Sequence, residues 1–245
     1  MLAINKTFSR SFSRLAIRAI GLILLASSFA RGNLVSNSDF LSYTGSPPKD
    51  FFSNVLPTDW SSGGYVFVDT PGSADNPSDP GIPVYPPFPV NTPLGGNFIE
   101  ADGTPGLSSP LTQTINTLIA GDTYSLSFYQ AAGQELGDAF AGPTTEQWQV
   151  TLGSSPAQTS TLMSDPAGGV IPWQSQTMTF TATSSSELLS FVPIGTGLPP
   201  MVFLGNPDLE ANVPEPSAFL LLAGVGTVVG IGRLGRRLRA KLPTA

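Results

Sequence analysis

Few residues of this chain can do chemistry, and most of those are acids. Its 245 residues include 17 Asp and Glu, 11 Lys and Arg, and neither His nor Cys. That excludes Ser-His and Cys-His nucleophile pairs and zinc sites built on His or Cys. Carboxylate chemistry and the binding of hard cations remain. Glu100 and Asp102 flank Ala101, so on a strand their side chains share one face, as a cation pair or half of a glycosidase site would. Asp102-Gly103 reads more simply as a hairpin turn, which puts both acids at the surface. No residue is assigned a catalytic role. For sugar stacking, Trp60 and Trp173 lie next to turn residues and are the candidate platforms, whereas Trp148 alternates with Val150 and Leu152 and belongs in a core. A different chemistry attaches to Val213-Pro214-Glu215-Pro216. Its prolines hold the backbone extended and deny it a helix, so a protease can reach the peptide bonds.

The elements that must position these groups follow from where the charge lies. Lys6, Arg10, Arg14, Arg18 and Arg31 are at one end, Arg233, Arg236, Arg237, Arg239 and Lys241 at the other, and Lys49 is the one basic residue between. Between Arg31 and Val213 there are 16 acids against that single Lys, a net charge of about −15. Such a body repels nucleic acid and anionic membrane. An acidic surface solvated by water accounts for this charge, and cation binding is the sharper alternative.

Both termini read as addresses. Four positive charges precede an uncharged run from Ala19 to Phe29, and Ser28-Phe29-Ala30 supplies small residues for cleavage after Ala30. That is the pattern of a secretory signal peptide over 1–30, which engages Sec export and signal peptidase. At the other end Ser217 to Gly232 is free of charge. As a helix this run extends roughly 24 Å against a hydrocarbon core of about 30 Å, and 217–234 with snorkelling arginines can span it. The cations at Arg233, Arg236, Arg237, Arg239 and Lys241 should stay cytoplasmic by the positive-inside rule. The body is therefore expected outside the inner membrane.

The body, 31–204, reads as short strands separated by Gly, Pro, Asp and Ser. Tyr124, Leu126 and Phe128 alternate with Ser125, Ser127 and Tyr129; Met178, Phe180 and Ala182 alternate with threonines. Period-two patterning of this kind predicts antiparallel strands buried on one face. Further candidates are Tyr65 to Val68, Asn97 to Ala101, Leu111 to Ile115, Leu188 to Val192 and Met201 to Leu204. The fold class is all-β: an antiparallel β-sandwich, a jelly roll, flanked by the signal helix and the transmembrane helix. Eight prolines between Pro71 and Pro93 mark a long stiff surface loop. Residues 205–212 read as a linker to the tail.

Val213-Pro214-Glu215-Pro216, the short apolar run and the terminal cations, in that order, resemble the sorting tail of PEP-CTERM proteins over 213–241. The resemblance implies export by a Gram-negative bacterium and processing near Pro-Glu-Pro by an exosortase, with association to exopolysaccharide and biofilm matrix. The body also resembles a galactose-binding-like, carbohydrate-module-like sandwich through "NLVSNSDF" at 33–40, "PTDW" at 57–60, "GNFIEADG" at 96–103, "LTQTINTLIAGDTYSLSF" at 111–128, "WQVTLG" at 148–153, "WQSQTMTFTATSSSELLSF" at 173–191 and "PPMVFLGNPDLEA" at 199–211. Related modules often carry a structural calcium near the chain ends, which makes Asp39 a metal candidate beside Glu100 and Asp102. Their last strand usually reads Leu-Asp-Asn/Gly-Val-Ser-Leu. Here Gly205 stands where the Asp would be, and Pro207 interrupts the strand.

The function expected is that of an exported, non-enzymatic, glycan-interacting surface or matrix protein that needs no cofactor beyond such a calcium. It would pass transiently through the inner membrane. The alternatives are a carbohydrate-active hydrolase using a carboxylate pair and a permanently anchored structural protein.

Overall fold

The computed structural model describes residues 32–44, 55–78, 82–137 and 142–212. The segment read as a signal peptide, 1–30 with Ala30, and the segment read as a sorting tail with a membrane helix, 213–241 with its cations, lie outside the described residues. Within residues 32–212 the chain forms one compact unit.

Among the described residues ten strands make two antiparallel sheets. The first has the order β1 (Val66–Asp69), β2 (Phe98–Asp102), β10 (Pro200–Ala211), β4 (Thr123–Gln134) and β8 (Val170–Thr181). The second has the order β3 (Leu111–Asn116), β9 (Ser186–Thr196), β5 (Thr144–Leu152) and β6 (Gln158–Thr159), with β7 (Met163–Asp165) also paired to β5. The all-β sandwich expected from the period-two pattern is therefore the fold. The inward positions are the ones the alternation picked out: Tyr124, Leu126, Phe128, Trp148, Val150, Leu152, Met178 and Phe180 are all in the main core. Trp148 ties the two sheets together, its indole Nε1 donating to the Phe203 carbonyl at 3.0 Å.

Three features depart from the expectation. Residues 205–211 are not a linker; β10 continues through them to Ala211. Its ladder with β4 shifts register between Gly205 and Asp208, and Asn206 has φ 49°. The bulge removes the ladder position at which Pro207 would lack a donor, so the strand passes through a proline. The sandwich then closes on the start of the described chain, where Leu34 N donates to the Leu209 carbonyl at 2.9 Å. Second, Asp102-Gly103 is not a hairpin turn: β2 ends there, and the next strand, β3, lies in the other sheet. Third, β6 and β7 are short strands whose few residues show no alternation in the sequence.

The proline-rich segment does more than connect. It lies on the outer face of the first sheet, where Ala74, Ile82, Val84 and Phe88 bury themselves against Phe67, Phe98, Ala131, Met201 and Phe203. Backbone hydrogen bonds from Val84 N to Ala74 O at 2.8 Å and from Tyr85 N to Gln134 O at 3.0 Å hold it in place. β1 and β2 are thus covered on both faces and buried at every position.

Candidate functional site

The tryptophans separate. Trp60 is only 5% exposed and is packed on Phe40 and Phe191, with ring centroids at 5.6 and 6.3 Å. It is a core residue and offers no face to a sugar, contrary to the expectation from its neighbouring turn residues. Trp173 is half-buried on β8, edge-on to Phe88 and Phe98 at 6.0 and 5.5 Å. It therefore seals the rim of the second core rather than standing clear of it. Among the described residues no aromatic side chain is fully exposed.

Glu100 and Asp102 do share a face, as their spacing requires, but that face is covered. Both are buried, at 0% and 5% exposure, on the face of β2 that Phe98 shares, so the expectation of a surface turn is corrected. Asp102 Oδ1 accepts from Thr104 N at 2.7 Å. Glu135 is half-buried nearby, its carboxyl raised by burial and then by the Asp102 charge. Asp39 lies in the turn before Phe40, its Oδ1 accepting from Leu41 N at 3.3 Å. Among the described residues no group of three or more acids is arranged to hold a metal.

A second acidic pair was not singled out from the sequence. Thr144 and Glu146 project inward from β5, and Asp165 projects inward from β7, directly across from Thr144. Their exposures are 1%, 0% and 1%. Burial pushes the Glu146 carboxyl up to about 8; the nearby Thr144 hydroxyl opposes part of that, and the Asp165 charge adds to it. Burial likewise raises Asp165 to about 6. Thr144 offers its hydroxyl to the Glu146 carboxyl, and beyond that contact the carboxyl oxygens of Glu146 and Asp165 have no partner. Extending the Trp148 alternation two steps toward the N-terminus would have found Glu146, because 144, 146 and 148 share a face.

The outer face of the second sheet differs again. Thr112, Ser190 and Thr151 stand in one cross-strand row, and Val192, Gln149 and Thr159 in another. All are partly or fully exposed. An open cleft of about 340 Å³ at the β3 edge is lined by Ser36, Asp59, Ser61, Thr114 and Asn116, among others. Gln113 builds its floor: Ser36 N donates to Gln113 Oε1 at 2.8 Å, and Gln113 Nε2 donates to Ser36 O at 3.0 Å.

Residues 212–239 match the PEP-CTERM protein-sorting motif. The chain carries a PEP-CTERM sorting signal. This agrees with the resemblance read at Val213, Pro214, Glu215 and Pro216, and it implies an exported chain processed by an exosortase and sorted to the cell surface. No curated protein sequence matches the chain. Among solved structures, the chain is similar to TmCBM61 in complex with β-1,4-galactotriose, at 15% identity and TM-score 0.45, covering 74% of this chain and 99% of that one. It is also similar to the CBM22-1 xylan-binding domain from Paenibacillus barcinonensis Xyn10C, at 12% identity and TM-score 0.39, covering 74% and 95%. A third is the K1 cleaved adhesin domain of Lys-gingipain from Porphyromonas gingivalis W83, at 12% identity and TM-score 0.41, covering 69% and 100%.

Proposed function

We propose that this protein is a non-enzymatic surface or matrix component whose sandwich contacts extracellular polysaccharide through the outer face of its second sheet. The observation that carries the reading is the contrast between that face and the other. Rows of hydroxyls and amides from Thr112, Ser190, Thr151, Gln147 and Gln149 are left accessible, interleaved with Val192 and Ile194. Sugar hydroxyls pair with such groups, and the aliphatic side chains receive the sugar's C–H faces. Without an exposed ring among the described residues, each contact is weak, and retention on a polymer comes from many copies acting together. A hydrolase reading has a pair of acids in Glu146 and Asp165, but their carboxyl oxygens are shut inside the sandwich. A glycosidase needs its two carboxylates on either side of a bound sugar.

The route to that surface is the finer part of the proposal. The tail halts the chain in the inner membrane and presents Pro214-Glu215-Pro216 outside for cleavage. Intact mass of protein from its host should then lack residues 1–30 and those beyond about Glu215. A mature form that keeps Arg233 to Lys241 makes the tail a permanent anchor instead. Binding is tested by co-sedimentation with the host's exopolysaccharide. The Gln147→Ala/Gln149→Ala double variant removes two side-chain amides worth about 1 kcal/mol each and should weaken retention roughly 10- to 30-fold. Ser125→Ala/Ser127→Ala, on the other sheet's outer face, should leave it unchanged. Equal loss in both variants would remove the assignment to the second sheet, and release of reducing sugar would restore the hydrolase reading.

A further inference from the structure

We propose that the sandwich restrains its own processing: residues 210–212, at the end of β10, form a clasp that must open from β4 before the processing enzyme can take hold of the sorting motif. The inference rests on the reading of the tail as an exosortase substrate. The matched motif begins at Asn212, and that residue is still part of the fold. Its N–H donates to the Thr123 carbonyl at 2.8 Å. Just before it, Leu209, Glu210 and Ala211 pair with Leu126, Ser125 and Tyr124 of β4. The other side of the strand is held too. Leu34 N donates to the Leu209 carbonyl at 2.9 Å, and Leu209 N donates to Asn33 Oδ1 at 3.0 Å. No spacer therefore separates the last strand from Val213-Pro214-Glu215-Pro216.

Chain length sets the difficulty. From Asn212 to Ser217, where the uncharged run begins, even a fully extended chain spans no more than about 18 Å. The bond to be cut near Pro-Glu-Pro lies within that length. A protease holds extended backbone on both sides of its scissile bond, and β10 keeps the upstream side paired. Release is graded by burial. Leu209 is fully buried in the main core, whereas Glu210 and Asn212 are exposed and Ala211 is half-buried. Leu209 thus pins the strand, and the residues after it can fray, because strand ends with few buried contacts open at low cost. Fraying back to Leu209 frees residues 210–212, roughly 10 Å of further chain. The register shift between Gly205 and Asp208 separates this short ladder from the rest of β10, so opening does not have to spread into the sheet. Where opening and closing outrun cleavage, the cutting rate follows the fraction of chains that are open. The fold then sets the pace of its own maturation.

The test follows conversion of the full chain from precursor to mature form by pulse-labelling in its host. Ser125 and Glu210 are register partners, and both side chains lie on the outer face, clear of the core. Ser125→Cys/Glu210→Cys can therefore join them by a single disulfide in a chain that has no Cys of its own. This lock should slow conversion at least about fivefold relative to either single-Cys variant, because it holds the clasp shut. A flexible insert of about eight Gly and Ser residues between Asn212 and Val213 should speed conversion of the otherwise unchanged chain at least about threefold. Added to the lock, the same insert should restore conversion. That rescue separates restraint from misfolding, since a spacer does not repair a body that has failed to fold. Equal conversion of the unchanged, locked and spaced chains overturns the proposal. So does a lock that slows conversion and is not relieved by the spacer. An unchanged chain that keeps Arg233 to Lys241 throughout the chase removes the sorting reading itself, and this inference with it.

Discussion

The two sheets of this sandwich share the same inward pattern and differ in what they turn outward. On the first, Phe67, Phe98, Ala131, Met201 and Phe203 face out and are roofed by the proline-rich segment. On the second, Thr112, Gln147, Gln149, Thr151 and Ser190 face out and stay accessible. One face therefore works as a second core and the other stays open to solvent. The difference lies in the strands themselves: β1 and β2 are buried at every position, while β3, β5 and β9 alternate. The covered face is also the one that takes Glu100 and Asp102 out of water, so acids at surface-like spacing become interior groups.

The largest expected effect comes from breaking the roof. Phe203 is fully buried, with ring centroids 4.3 Å from Phe88 and 6.0 Å from Phe98. Phe203→Ala should cost about 3–5 kcal/mol and lower the melting temperature by roughly 10 °C. Val192→Ala, on the bare face, should stay within about 0.5 kcal/mol of wild type. Thermal melting of the two variants side by side decides whether the faces differ as described.

The next effect comes from the interior acid pair. Burial raises both Glu146 and Asp165. For an acid raised in the fold, stability is complete below its unfolded pKa and is lost as pH climbs through the folded value. In EDTA, the Asp165 contribution should fade between about pH 4 and about 6, and the Glu146 contribution between about pH 4.5 and about 8. Glu146→Gln cannot ionise, so it should flatten the upper part of that decline and melt roughly 5 °C above wild type at pH 8. A wild-type melting curve that is level from pH 5 to 8 would contradict the buried, uncompensated pair.

Much of this architecture was legible in the sequence, for physical reasons that can be named. Alternation located Tyr124 to Phe128, Trp148 to Leu152 and Met178 to Ala182, because one-sided burial writes itself into every second residue. It could not show that the prolines of 71–93 fold back onto a sheet, because that packing depends on contacts distant in sequence. The unbroken apolar run Val66-Phe67-Val68 was the available sign of a strand covered on both sides; Glu100 and Asp102 hid it in β2. Pro207 was read as a break, and the bulge at Gly205 to Asp208 absorbs it. Trp60 was judged by its neighbours in sequence, yet its ring meets Phe40 and Phe191. Glu146 went unnoticed because acids are normally read as surface residues, although it keeps step with Trp148.

A smaller effect sharpens the boundary between roof and rim. A Cβ at Gly205 would come within 2.9 Å of Thr92 Cγ2 and 3.4 Å of the Trp173 ring. Gly205→Ala should therefore push on the loop end and the indole, costing about 1–3 kcal/mol, with a change in tryptophan fluorescence as Trp173 moves. An unchanged melting temperature and spectrum would mean that the loop end yields freely and is no roof.

The smallest effect on stability should come from the face proposed to matter most for binding. Gln147→Ala/Gln149→Ala removes two half-exposed amides from β5, neither of which donates a described side-chain hydrogen bond in the fold. The melting temperature should move by no more than about 2 °C, within the range for surface substitutions. Binding should respond instead, and its salt dependence identifies the glycan's charge. The body carries 16 acids and one Lys between Arg31 and Val213, so it repels an anionic polymer over a Debye length of about 10 Å at 0.1 M salt. A neutral polysaccharide feels no such force. Retention on a neutral glycan should change less than about twofold between 50 and 500 mM NaCl, while a uronic-acid polymer should be excluded at low salt. Tight, salt-sensitive retention of the acidic polymer would instead place the contact on a different, basic part of the chain, outside residues 32–212.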